Sequence, residues 1–137
     1  QVTIVNRTWA NAQTLVRTYG SVGKARLEAL SLEALREPEL LGSAALVINS
    51  TSVGLHGESC VPLAYEATSR TCIFYDLLYR TELTSFLKPA KKARHLVCDG
   101  RGMLLHQGAF AFTLWTNIPA PLATMSHALS QALRRSA

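Results

Sequence analysis

Short β-branched runs alternating with helically spaced stretches predict an α/β protein built on a parallel sheet. Three observations carry this expectation. Val2–Val5 and residues 44–49, 71–76 and 95–98 are apolar runs of strand length, and loop-forming residues close them. Between and after them lie stretches whose apolar residues recur every three or four positions, as on one face of a helix. The 137 residues are 48% hydrophobic and only 17% charged, a composition that supports one packed domain and excludes a disordered chain.

Each element has its own signal. Val2–Val5 reads as a buried strand closed by Asn6, Arg7 and Thr8. Thr8 predicts the N-cap of a helix over Trp9–Tyr19, stopped by Gly20. Residues 25–30 suit a second strand, and Leu32, Leu35, Leu40 and Leu41 have helical spacing up to Gly42. Residues 44–49 form the next strand, followed by a long Ser-, Gly- and Thr-rich loop through Pro62. A strand over 71–76, a helix over 85–93 and a strand over 95–98 come next. Residues 103–115 are apolar on most faces and predict a largely buried helix, broken by Pro119 and Pro121. Leu122, Met125, Leu129 and Leu133 place one stripe on a last amphipathic helix. No repeat or low-complexity linker divides the chain, so one domain over residues 1–137 is expected.

Charge and cysteines narrow the function classes. The net charge is +5, but the one dense basic patch, Lys88, Lys91, Lys92 and Arg94, falls where a helix should end and carries no interleaved aromatics. It reads as a solvated helix end, so no nucleic-acid partner is expected. No apolar run nears the roughly 20 residues of a membrane helix, and no secretion signal is expected. Cys60, Cys72 and Cys98 are widely spaced and read as reduced thiols of a cytoplasmic protein. His56, His95, His106 and His127 lack metal-ligand spacing. The chain opens on Gln1 rather than Met, so a fragment of a longer protein is expected.

Ligands of parallel α/β sheets bind at the carboxyl ends of the strands. The first strand ends in Asn6-Arg7-Thr8, with a guanidinium where many dinucleotide sites carry an acid. Arg at this point grips a phosphate with paired hydrogen bonds, beside the N–H groups of a helix start. On residues alone, Arg7 equally suits a plain surface position, Met103 suits core filling, Tyr79 suits a half-buried tyrosine and Asp76 suits a strand-end cap. Gln107 lies among Leu104, Leu105, Phe110 and Ala111, where an amide needs hydrogen-bond partners.

Four segments in order resemble the shikimate dehydrogenase family. Residues 2–8 (VTIVNRT) are similar to its second-strand segment, and residues 46–55 (LVINSTSVGL) to its N-A-T-S-x-G-M segment. Asp76-Leu77-Leu78-Tyr79 followed by Thr84 resembles a third motif. Asp99-Gly100-Arg101-Gly102-Met103-Leu104, with Gln107, Gly108, Ala109 and residues 112–116, resembles a more specific fourth. The resemblance implies a Rossmann-like, doubly wound parallel sheet that here lacks its first strand and glycine-rich loop. It implies that Asn6, Arg7 and Thr8 hold the 2′-phosphate of NADP. Asn49, Ser50, Thr51 and Ser52 would line the cofactor, Leu77 would pack on it, and Gly100 and Met103 would sit by its nicotinamide. Tyr79 and Gln107 would touch the substrate, shikimate or 3-dehydroshikimate.

The resemblance also implies what lies elsewhere. The family's catalytic Lys–Asp pair belongs to an amino-terminal domain, so no catalytic acid or base is expected in these residues. The last helix, about residues 120–135, would pack on that domain, and the whole enzyme would be a monomer or homodimer. Asn11 stands where a second basic residue is common, which implies a less strict preference for NADP over NAD; Asn117 replaces the usual glycine after Trp115-Thr116. Without a central first strand, its two neighbours would keep unpaired edges and the chain would fold poorly alone. Two other readings are an inactive or split dehydrogenase-like module and a glutamyl-tRNA reductase cofactor domain; the latter shares N-R-T but not the Gln107 and Trp115 motif.

Overall fold

The computed structural model describes residues 1–135 and divides the chain into two compact units. The first comprises residues 1–44 and 62–69, and the second residues 45–61 and the chain from Arg70 onward.

In the first unit, strand β1 (Val2–Val5) pairs parallel with β2 (Leu27–Leu30), Val2 opposite Leu27 and Val5 opposite Leu30. The crossover between them is helix α1 (Trp9–Tyr19), which buries Ala12 completely. Thr8 caps α1 by its extended backbone (φ −99°, ψ 94°), not with its hydroxyl. The side chain that works at this turn is Asn6, whose Oδ1 accepts the Thr8 N–H at 2.8 Å.

The single helix expected up to Gly42 is instead a 3₁₀ turn (Leu32–Arg36) and a short helix α2 (Pro38–Gly42). Pro38 is the reason. A proline ring crowds the residue before it out of the helical region, and Glu37 is extended at φ −80°, ψ 118°. Pro38 then starts α2, where its missing N–H costs nothing. Gly42 is the last residue of α2 rather than the stop beyond it. A 3₁₀ turn, Tyr65–Ala67, belongs to the same unit and packs by α2.

In the second unit, β3 (Leu46–Asn49), β4 (Ile73–Asp76) and β5 (Leu96–Cys98) form a parallel sheet in the order β3-β4-β5. Asn49 stands opposite Asp76, and Tyr75 opposite Cys98. Alternation along β4 sends Phe74 and Asp76 to a buried face. Helix α3 (Leu87–Lys92) contributes buried Leu87 and Ala90 beside Phe86. The Phe74 ring lies 5.8 Å from that of Phe86 and 5.0 Å from that of His95. Lys91 and Lys92 occupy the last turn of α3 and Lys88 pairs with Glu82 at 3.0 Å, so the basic patch is a solvated helix end.

Helix α4 (Arg101–Thr116) follows, then α5 (Leu122–Arg135). The expectation of a largely buried α4 is corrected: only Ala109 is buried, while Phe110, Leu114 and Trp115 are 75%, 81% and 82% exposed. Apolar residues surround α4, and a helix of that kind needs partners on every side; within its unit its helical partner is α5. Met125, Leu129 and Leu133 of the α5 stripe are half-buried, and Leu122 is exposed. Asn117 closes α4 in the left-handed conformation (φ 54°), with its N–H on the Thr113 carbonyl. It does there what glycine would do, since asparagine tolerates that region better than most residues. Among the described residues, no helix is long and apolar enough to cross a membrane, and no group of three or more His, Cys, Asp or Glu is placed to hold a metal ion.

Candidate functional site

Three loops leave the carboxyl ends of β3, β4 and β5 on one edge of the second unit's sheet, where parallel α/β sheets bind ligands. The backbone ties them together. The Leu77 N–H donates to the Asn49 carbonyl, and the Gly100 N–H to the Leu78 carbonyl, each at 3.0 Å. Gly100 lies so close to the β4 loop that a Cβ on it would stand 2.0 Å from the Leu77 carbonyl oxygen. Leu77 and Gly100, two expected cofactor contacts, are therefore neighbours.

Asp76 anchors this edge from beneath. Its side chain is wholly buried, and both carboxyl oxygens accept hydrogen bonds. Oδ1 takes the Asn49 amide at 3.0 Å and the Leu78 N–H at 3.1 Å, and Oδ2 takes the Thr84 hydroxyl. Thr84 Oγ1 in turn accepts the Leu87 N–H at the start of α3.

Asn49, 7% exposed, commits its amide within the chain. Nδ2 donates to Asp76 and to the Val53 carbonyl, while Oδ1 accepts the N–H and the hydroxyl of Thr51. The Thr51 hydroxyl accepts the Val53 N–H at 3.1 Å. Ser50 and Ser52 are exposed. Thr51 is exposed as well, but its hydroxyl is engaged within the loop, so the two serines carry the uncommitted hydroxyls of residues 50–52.

Beyond Val53 the chain is pinned by Glu58, Arg80 and Ser85, whose partners the sequence does not reveal. Glu58 Oε2 accepts the N–H groups of Gly54 and His56 at 3.0 Å each. Main-chain N–H groups, its own first and then that of His56, hold the Glu58 carboxyl below its ordinary value. Arg80 Nη1 donates to the carbonyls of Gly54 and Leu55 at 3.0 and 3.1 Å. Ser85 Oγ donates to the Glu58 carbonyl and accepts the Cys60 N–H. The one signal was a lone acid and a lone base flanking Gly-rich and Tyr79-bearing segments, which spacing alone does not pair.

Tyr79 is 40% exposed and Met103 41%, and Gln107 lies one turn beyond Met103 on α4, also exposed. The Tyr79 hydroxyl and the Gln107 side-chain amide have no hydrogen-bond partner among the described residues. Gln107 is therefore a solvent-facing amide, not one buried among its apolar neighbours. Met103 and His106 border an open apolar hollow of about 590 Å³ over Leu46, Ile73, Tyr75 and Cys98. Asp99 secures the start of α4: its carboxylate accepts the Arg101 N–H at 3.1 Å and the Arg101 guanidinium at 2.7 Å.

The other expected contacts lie in the first unit. Asn6, Arg7 and Thr8 sit at the carboxyl end of β1, at the amino-terminal end of α1. Arg7 is exposed and has no ion-pair partner among the described residues, which leaves its guanidinium available to an anion.

Known proteins carry the same pattern. A family model of the Shikimate 5′-dehydrogenase C-terminal domain matches residues 100–129. The curated shikimate dehydrogenase (NADP(+)) of Sinorhizobium medicae is 37% identical over 112 residues, which is 82% of this chain and 37% of that protein. The chain belongs to the shikimate dehydrogenase family. It spans less than half the length of the curated relatives it matches. Solved structures share this fold. The shikimate 5-dehydrogenase of Thermus thermophilus, in complex with NADP(H) and shikimate, has a TM-score of 0.74 and 36% identity, over 96% of this chain and 46% of that one. The ligand-free 5-ketofructose reductase of a Gluconobacter strain reaches a TM-score of 0.81 at 28% identity, over 95% and 47% of the two chains. These relatives fix the fold as Rossmann-like α/β.

Proposed function

We propose that these residues are the cofactor-binding portion of an enzyme that reversibly reduces 3-dehydroshikimate to shikimate with NADPH. The carrying observation is the convergence of three strand-end loops, with the Gly100 backbone against the Leu77 carbonyl, on one edge of a parallel sheet. Family membership supports the same reading.

The chain fits NADP in two places. Arg7 offers an unpaired guanidinium at a strand–helix junction, suited to a 2′-phosphate beside Asn6 and Thr8. Gly100, whose missing Cβ makes room for the Leu77 carbonyl, brings the β4 and β5 loops together where the nicotinamide would sit. When bound, the nicotinamide supplies the hydride chemistry. The chain's own residues orient it: Ser50, Ser52 and main-chain groups near the diphosphate and ribose, Leu77 and Met103 against the ring. Tyr79 and Gln107 hold substrate hydroxyls. The proton donor belongs to a separate substrate domain of the complete enzyme, and the open apolar side chains of α4 and α5 are the surface that domain covers. Three unpaired thiols suit the reducing cytoplasm.

The test is an assay of the complete enzyme with shikimate and either NADP+ or NAD+. NADP+-dependent oxidation of shikimate is expected, with none from residues 1–137 alone. Turnover of a different polyol, with none of shikimate, overturns the substrate reading. Turnover by the isolated residues overturns the placement of the acid–base group.

A further inference from the structure

We infer that Asp76 is a positioning residue, and that through Asn49 it sets the loop that faces the cofactor; this deepens the reading above and rests on it. Asp76 is wholly buried, so it touches neither cofactor nor substrate. Its reach is nonetheless wide. Oδ1 receives both the Asn49 amide and the Leu78 N–H, so one atom registers the β3 loop against the β4 loop.

An amide side chain has two orientations that differ by a half-turn. Asp76 accepts and does not donate at Oδ1, which forces the Asn49 NH2 toward it and toward the Val53 carbonyl. The Asn49 oxygen must then face Thr51, where it takes both the N–H and the hydroxyl. With its proton committed to Asn49, the Thr51 hydroxyl turns a lone pair to the Val53 N–H. The direction of each bond follows from the one before it. Residues 50–53 thus take their backbone course from a carboxyl group on the neighbouring strand. Asn49 and Thr51 are the frame of this loop, and Ser50, Ser52 and main-chain groups are its contact surface.

The same carboxyl places the other wall. Leu78 N–H on Oδ1 fixes the turn between Leu77 and Tyr79, and Thr84 on Oδ2 fixes the start of α3 beneath it.

What the frame needs at Oδ1 is an acceptor, not a charge. Asp76→Asn keeps an acceptor there and changes only the arm to Thr84, whereas Asp76→Ala removes it. In the complete enzyme, the dissociation constant for NADP+ and the KM for shikimate should each rise about tenfold or more in Asp76→Ala. In Asp76→Asn both should stay within about threefold of the parent. Hydrogen–deuterium exchange of residues 49–55 and 77–79 should quicken in Asp76→Ala and not in Asp76→Asn. Should Asp76→Ala fail to fold, Thr51→Val is the second variant, an exposed and nearly isosteric change. It should quicken exchange at residues 51–55 and weaken NADP+ binding severalfold, with Thr51→Ser restoring both. A folded Asp76→Ala or Thr51→Val with parental exchange and NADP+ affinity overturns the inference, as does equal loss in Asp76→Asn and Asp76→Ala. If the parent enzyme itself ignores NADP+, the functional reading falls, while the exchange data still decide whether Asp76 frames the loops.

Discussion

At Gly100 the backbone is ordinary, with φ −70°, yet no side chain fits, because a Cβ would press into the Leu77 carbonyl at 2.0 Å. Gly100→Ala should destabilise the fold by about 1–3 kcal/mol or more, since the obstacle is main chain held in a hydrogen-bonded turn. Thermal unfolding of the complete enzyme measures this, and an unchanged midpoint would show that the β4 loop yields freely. Arg7 is the opposite case, an exposed side chain with no intrachain partner among the described residues. Charge-assisted bonds to a phosphate are worth about 1.5–3 kcal/mol, so under the proposed role Arg7→Ala should weaken NADP+ roughly ten- to hundredfold. NAD+ binding should change little; titration of both cofactors decides, and equal loss of the two would remove Arg7 from the 2′-phosphate. The thiols differ through their surroundings. Burial, and for Cys60 also the nearby Asp76, pushes the Cys60 and Cys72 thiols up, whereas Cys98 is exposed. A raised thiol pKa stabilises the fold fully below the ordinary thiol value of roughly 8.5. That contribution fades as pH rises through the higher folded value. Alkylation near neutral pH should therefore mark Cys98 first, as mass spectrometry of partially labelled protein would read.

Elements were legible in proportion to how local their causes are. β1, α1, β3, β4 and β5 follow from β-branched runs and from turn residues at their ends. The break at Pro38 was equally local but was masked by four well-spaced leucines, and periodicity alone does not register a proline's effect on its predecessor. The exposure of α4 was not local at all. A helix apolar on all sides states that it wants partners without stating which are present. What fastens α3 to β4 is an aromatic cluster of Phe74, Phe86 and His95. Phe74→Ala, at a fully buried site, should cost about 3–5 kcal/mol. Denaturant unfolding of the complete enzyme measures it, and a loss below about 1 kcal/mol would mean that the cluster collapses to fill the gap.

Across both units, each sheet leaves an edge open: β1 pairs only with β2, and β3 only with β4, among the described residues. Leu46, Ile48, Leu96, Phe110, Leu114 and Trp115 are all exposed. Open strand edges and apolar surface invite association. The 137 residues produced alone should bind an apolar dye strongly and self-associate, and the complete enzyme should do neither; a monodisperse, dye-silent fragment would show that the two units bury enough by themselves. Residue order was enough for the parallel α/β class and the strand positions, and it singled out Arg7, Leu77, Tyr79, Gly100, Met103 and Gln107 as candidates, because propensity, turn chemistry and short motifs are written within a few neighbouring positions. It took the folded chain to reveal that Asn49 turns inward and engages the Thr51 hydroxyl, that Asp76 joins two loops, and that Arg80 and Glu58 pin a third segment. A hydrogen bond between residues 27 apart, such as that of Asn49 with Asp76, depends on which strand ends meet, and no local pattern encodes that meeting.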